Sequence, residues 1–211
     1  MNPRVQDIMT SSPDFGYYNS YKNFLTEGHC RHISKVILRD EEHILRIPNP
    51  FPNDYKGLTR QHTIYNWLTH PELAVYNLPR RIHTTLTELN KHPKILIQCW
   101  ANILRQGENL LEHTHGNENT PYPFYAINIF LSGNPTTGTY YYAERQNIPN
   151  EVGELVILND QTLHGVPTNL FQKPRISMAL DIYTHPEHIE ILEEDIKNGV
   201  VSSERFIPSY L

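Results

Sequence analysis

His113-Thr-His115 and the more distant His164 are the residues of this chain best equipped for metal chemistry. Two imidazoles two residues apart on a strand point to the same face. A third arriving from another strand closes one face of a coordination sphere. Neutral imidazole suits iron, zinc, copper and nickel alike, so ligand type leaves the metal open. Arg175-Ile-Ser177 offers a second function. A guanidinium is a fixed planar fork for a carboxylate, and a serine two residues on faces the same way. An arginine aimed into a small barrel is costly unless paired. A ligand carboxylate would resolve that cost; an internal ion pair with Glu154 or Asp160 is the other reading.

These groups need strands to hold them. After His92-Pro93 the sequence reads as short, evenly spaced strands broken by Gly, Pro and Asn: 94–104, 109–115, 124–131, 138–144, 154–158 and 175–183. That pattern predicts an antiparallel sandwich or jelly roll, not a parallel α/β sheet. In strand 109–115, Leu111, His113 and His115 are expected on one face, with Glu112 and Thr114 on the other. His164 is expected at or just past the end of strand 154–158. In strand 175–183, Arg175, Ser177 and Ala179 line the interior, and Ile176, Met178, Leu180 and Ile182 form an apolar face. Tyr140 and Tyr142 share one face of their strand and Tyr141 takes the other. Asn102, Tyr125, Asn128 and Tyr141 are candidate donors to a bound organic acid, from strand position alone.

Upstream, residues 33–38 and 43–47 are short strand candidates and 48–52 is a proline-rich loop. Residues 59–67 could form a short helix. Residues 79–90 are a clearer one, with Pro79 in the first turn and Ile82, Leu86 and Leu89 at helical spacing. Residues 186–198 close the chain as a helix stopped by Gly199. The reading is one domain over 1–211: a mixed support region 1–92, a core 93–184, and a helix and tail 185–211. Residues 116–123 form a polar loop straight after the His113/His115 strand, placed to act as a lid or substrate contact.

Composition narrows the function classes. The chain has 211 residues, 38% hydrophobic, with net charge −5. There is no basic stripe, so no nucleic-acid partner is expected. No apolar run reaches membrane-spanning length, and the start of the chain lacks the apolar core of a signal peptide. Two cysteines are too few for a disulfide framework, which points to a reducing cytoplasm. Cys99 reads as a buried small hydrophobe. Twelve histidines make a chance His-x-His plausible, so context has to carry the metal reading.

That context is a family resemblance. The stretch Trp100-Ala-Asn-Ile-Leu-Arg-Gln-Gly107 through His113-Thr-His115, then Gly153-Glu-Leu-Val-Ile-Leu158 to Leu163-His164-Gly165-Val-Pro167, then Arg175-Ile-Ser177-Met-Ala-Leu-Asp181, resembles the iron(II)/2-oxoglutarate-dependent oxygenases, notably small bacterial and phage-type members. The resemblance covers about residues 95–183. It implies a mainly β, double-stranded β-helix (jelly roll, cupin-like) with flanking α-helices. It implies His113 and His164 as iron ligands, and Arg175 with Ser177 as the pair holding the distal carboxylate of 2-oxoglutarate. It further implies Fe(II) and O2 chemistry releasing succinate and CO2 while a small molecule, amino acid or peptide side chain is hydroxylated.

Position 115 departs from the pattern, which has Asp or Glu there in a 2-His-1-carboxylate triad. Three readings stay open. His115 ligates, giving a neutral three-histidine face. Glu118 swings in as the carboxylate. Or position 115 does not ligate and leaves a place for water or halide, as in related halogenases. Gly107-x5-His113-x-His115 and Gly153…His164 also fit cupin motifs. A cupin-type metalloenzyme without 2-oxoglutarate, or a non-catalytic jelly-roll binding module, are therefore the competing functions.

Overall fold

A computed structural model describes residues 18–46, 65–89, 93–115, 124–143, 145–199 and 207–210. The chain opens with strand β1 (Tyr18–Tyr21) and helix α1 (Glu27–Leu45). Two 3₁₀ segments (Trp67–Thr69 and Pro71–Tyr76) lead into α2 (Leu78–Leu89). Then come β2 (Lys94–Leu104), β3 (Leu110–His113), β4 (Phe124–Ser132), β5 (Thr139–Tyr141) and β6 (Gln146–Ile148). They are followed by β7 (Leu155–Asn159), β8 (His164–Val166), β9 (Arg175–Tyr183), α3 (Pro186–Lys197) and β10 (Ile207–Tyr210).

The strands form two antiparallel sheets. The larger is six-stranded, in the order β1-β7-β4-β9-β2-β10, and the smaller is four-stranded, β3-β8-β5-β6. Together they make the expected jelly roll. The central strands β2, β4, β7 and β9 have two dissimilar faces, because side chains alternate with period two. One face carries Ile97, Cys99, Ala101, Ile103, Ile127, Ile129, Leu155, Ile157, Ile176, Met178, Leu180 and Ile182, all buried in one cluster with α1, α2 and the 3₁₀ segments. The register puts Gln98, Trp100 and Asn102 of β2 beside Asp181, Ala179 and Ser177 of β9, on the opposite face toward the smaller sheet. The main apolar core thus lies between the large sheet and the helices. The space between the two sheets is left for polar groups.

Residues 33–38 and 43–46 are not strands but part of α1 and its C-cap. Their β-branched residues suggest extension over a short window. Over the longer span Cys30, Ile33, Ile37 and Ile44 recur on one helical face and are all buried. Thr26 caps the helix by accepting from the His29 N–H at 3.2 Å. Of the helix expected at 59–67, residues 59–64 lie outside the described residues, and Trp67 opens a 3₁₀ segment instead.

Strand β3 also differs from simple alternation. Its pairing with β8 shifts between Leu110 and His113, a β-bulge. The bulge moves Leu110 onto the inner face with His113 and turns Leu111 outward, 59% exposed. Gly153 is a second backbone constraint. Its φ is +86°, and a Cβ there would lie 2.1 Å from the Leu25 carbonyl oxygen. Its own carbonyl accepts from Leu25 N–H at 3.0 Å and its N–H donates to Phe130 O at 2.9 Å, tying the start of α1 to the turn before β7.

Candidate metal centre

Pairing of β3 with β8 sets His113 directly opposite His164, and pairing of β8 with β5 sets His164 opposite Tyr141. His115 follows β3, and its backbone N–H donates to Asp160 O at 3.0 Å, which holds the end of that segment against the β7–β8 turn. The three imidazoles converge, each offering a nitrogen within 4.8 Å of the others.

The hydrogen bonds say which nitrogen. His113 Nδ1 lies 2.8 Å from Leu111 O, His164 Nδ1 lies 2.8 Å from Thr162 O, and His115 Nδ1 lies 2.7 Å from Asp181 Oδ1. Carbonyl and carboxylate oxygens only accept, so each Nδ1 carries the hydrogen. Each Nε2 is left as a free lone pair. Burial keeps the His113 and His164 rings neutral. It lowers His164 to about 3, helped by the neighbouring His113 and His115, and it lowers His113 in the same sense. The His115 ring is also fixed by packing, 6.0 Å from Trp100 and 5.2 Å from His164, parallel to the latter within 1°.

The same cavity, of about 380 Å³, is lined by Gln98, Trp100, Asn102, Asn128, Tyr141, Arg175, Ala179 and Asp181 besides the three histidines. That volume suits a small organic ligand. Arg175 is 1% exposed. Its Nε donates to Thr137 O at 3.2 Å, one terminal nitrogen to Ser177 Oγ at 3.2 Å and the other to Thr139 Oγ1 at 3.5 Å. Among the described residues none of these partners is a carboxylate. Glu154 is taken up by Ser20 and the Glu151 N–H, and Asp160 by Gln161, so neither forms the internal ion pair. Burial pulls the guanidinium down to about 10, still a cation at neutral pH. Asn102 Oδ1 is buried without a partner among the described residues, and Asn102 lines the same cavity.

The structure therefore brings His113, His115, His164, Arg175, Ser177, Asn102 and Asn128 to the inner face. Tyr125 is not with them. It lies one residue off the Ala126 and Asn128 parity and packs against the helix-side core. Glu118 and the proposed lid at 116–123 lie outside the described residues. Tyr141 faces the cavity, whereas Tyr140 and Tyr142 pair on the outer surface with ring centroids 4.8 Å apart. The sequence reading assigns no role to Asp181, Thr137 or Thr139. Asp181 was open to the parity argument that places Arg175, Ser177 and Ala179; the threonines come from a loop and a short strand that only the fold brings near.

No family model and no curated protein matches the sequence. Solved structures do match. The viral collagen prolyl hydroxylase of Paramecium Bursaria Chlorella virus-1, in its 2-oxoglutarate complex, aligns with a TM-score of 0.57 at 13% identity, over 80% of this chain and 96% of that one. HygX from Streptomyces hygroscopicus, with nickel and 2-oxoglutarate bound, aligns with a TM-score of 0.55 at 14% identity, over 82% and 84%. CytC3 with Fe(II) and 2-oxoglutarate (α-ketoglutarate) gives 0.55 at 13%, over 83% and 78%. The chain has their fold. At such identity the likeness speaks for architecture, and the chemistry rests on the residues above. No helix among the described residues is long and apolar enough to cross a membrane.

Proposed function

We propose that this chain is an Fe(II)- and 2-oxoglutarate-dependent oxygenase acting on a small molecule, an amino acid or a peptide side chain. One observation carries the reading. Three imidazoles that converge through Nε2 share a cavity with a fully buried arginine that has no carboxylate partner among the described residues. The donor set fits the metal: three nitrogens on one side leave the opposite positions for ligands. The lone cation fits the distal carboxylate of the cosubstrate.

In this reading His113, His115 and His164 hold the iron through Nε2. Arg175 and Ser177 bind the far carboxylate of 2-oxoglutarate, with the Thr139 hydroxyl within reach of the same guanidinium. Asn102 and Asn128 line the space between. Trp100, Leu110, Leu158 and Val166 wall the cavity with apolar surface, which limits water around the metal. Iron, when bound with 2-oxoglutarate and O2, would supply the oxidising chemistry, with one oxygen atom ending in succinate beside CO2 and the other in the substrate. The chain's part is to orient and to exclude solvent.

Anaerobic titration of the purified protein with Fe(II), then 2-oxoglutarate, tests this directly. A weak visible metal-to-ligand charge-transfer band on the second addition is expected, followed by succinate formation when O2 is admitted. Iron binding without the band would move the assignment to cupin-type chemistry that needs no 2-oxoglutarate. Absence of metal binding would leave a binding module.

A further inference from the structure

Three histidines supply no charge, and the site has a carboxylate that stands one step back. His113 and His164 each satisfy Nδ1 locally, on the backbone carbonyl two residues earlier. His115 alone reaches a carboxylate, Asp181, 66 positions away on β9. The two side chains are nearly enclosed, 10% and 16% exposed. Among the described residues Asp181 ion-pairs with this histidine and with no lysine or arginine. Packing of His115 against Trp100 and His164 fixes the ring plane. The bond to Asp181 then fixes rotation within that plane, and with it the direction of the Nε2 lone pair.

We propose that Asp181 is the carboxylate of this centre, acting on the metal through His115 instead of by direct ligation. The proposal rests on the metal-site reading above. A carboxylate accepting from Nδ1–H makes the ring a stronger donor at Nε2 and holds its tautomer. It also places one negative charge beside a bound divalent cation, the charge that a directly ligating aspartate in place of His115 would have brought. Asp181 is a positioning residue in this scheme. It needs no contact with the metal, which His113, His115 and His164 would hold.

The test is metal affinity of the full chain, measured anaerobically with Fe(II) by chelator competition and with Co(II) by its visible d–d spectrum. Five proteins are compared: wild type, Asp181→Asn, Asp181→Glu, His115→Asp, and the double variant that joins Asp181→Asn to His115→Asp. Asparagine is isosteric and can still accept from Nδ1–H, so the fold should persist, as far-UV circular dichroism checks. Asp181→Asn is expected to weaken Fe(II) by roughly 10–100-fold, the usual effect of removing a ligand's supporting carboxylate, and to shift the Co(II) bands. Asp181→Glu should restore most of the affinity. In the His115→Asp background the sign should change, since the introduced carboxylate would ligate directly and Asp181 would be a like-charged neighbour. There Asp181→Asn is expected to leave affinity unchanged or to raise it. Equal losses in both backgrounds, or no loss in the wild-type background, would overturn the proposal while leaving the metal site standing. Wild-type protein that binds neither Fe(II) nor Co(II) would overturn the metal reading, and this proposal with it.

Discussion

Arg175→Met separates a ligand-binding arginine from a structural one, because the two roles place its energy in different states. In the free protein the guanidinium is fully buried, and burial pulls it from the ordinary arginine range down to about 10. At about 1.4 kcal/mol per pH unit, burial therefore costs the cation about 3 kcal/mol. Against this stand three bonds to neutral oxygens at 3.2–3.5 Å. At the long end of hydrogen-bond distance each is worth about 1 kcal/mol, below the ordinary range for a bond to a charged group. The two contributions nearly cancel. Methionine fills similar length without the charge, and cavity water can reach the oxygens it abandons. The ligand-free variant should thus keep its unfolding free energy within about 1 kcal/mol of wild type, a shift of only a few degrees in Tm. Its affinity for 2-oxoglutarate should fall by more than about 2 kcal/mol, at least some 30-fold, since a charge-assisted fork to a carboxylate is lost. Urea unfolding of the metal-free protein gives the first number and anaerobic titration of the iron-loaded protein the second. A structural ion pair would behave the other way, with about 3–5 kcal/mol of stability lost. A large stability loss with unchanged 2-oxoglutarate affinity would refute the cosubstrate role.

Three other outcomes follow from the same geometry. His164 is held well below its ordinary 6.5, at about 3, so in acid the unfolded chain takes up a proton that the folded chain refuses. Metal-free stability contributed by this group is therefore complete above pH 6.5 and declines as pH falls toward 3, by on the order of 1–2 kcal/mol between pH 6.5 and 5. Urea midpoints in the presence of chelator should show that slope, and His164→Gln should flatten it; an unchanged slope in the variant would count against the buried neutral imidazole. His115→Ala should weaken Fe(II) beyond the roughly 10–100-fold expected for losing a ligand's supporting partner, whereas iron retained at wild-type affinity would favour an open position at 115. Gly153→Ala should cost about 2 kcal/mol or more in urea unfolding, because the added carbon meets the Leu25 carbonyl and the residue sits at positive φ; a neutral result would mean that the α1–β7 junction yields without cost.

Strands β2, β4 and β9 were legible because they are long, carry an apolar residue at every second position and each begin directly after a proline. The same alternation places Arg175 and Ser177 inside. Helix α1 was not, since its run of Ile and Val satisfies strand propensity locally and shows its helical period only over five turns. Strands β1, β6, β8 and β10 have three or four residues each and gain order only from tertiary pairing. The bulge in β3 is a backbone event without a side-chain signature, so the neighbour of His113 on the cavity could not be read as Leu110 instead of Leu111. For the same reason the partner of His115 was hidden. It depends on where the chain after β3 meets β9, and no spacing within either segment records that meeting. Tyr125 misled for a simpler reason: a tyrosine offers a hydroxyl wherever it lies, and one position of parity decides which side of the sheet it faces.

The division of labour between the two faces of the large sheet explains how so polar a cavity is tolerated. A jelly roll that kept its principal core between the sheets would have to bury Arg175, Asn102, Gln98 and Asp181 in it, at a cost of several kcal/mol for each unsatisfied group. Here the aliphatic face of β2, β4, β7 and β9 turns the other way and is sealed by α1, α2 and the 3₁₀ segments. Stability is drawn from that helix-side layer, and the space between the sheets holds only a small apolar cluster around Tyr141, Val156 and Leu158. Substitutions on the inner face should therefore move ligand affinity far more than folding. Substitutions such as Ile97→Ala or Ile157→Ala, each fully buried on the outer face, should cost about 2–5 kcal/mol of stability and leave the affinity of the folded protein for metal nearly unchanged. That contrast follows from strand parity alone, and it holds for any ligand the cavity takes.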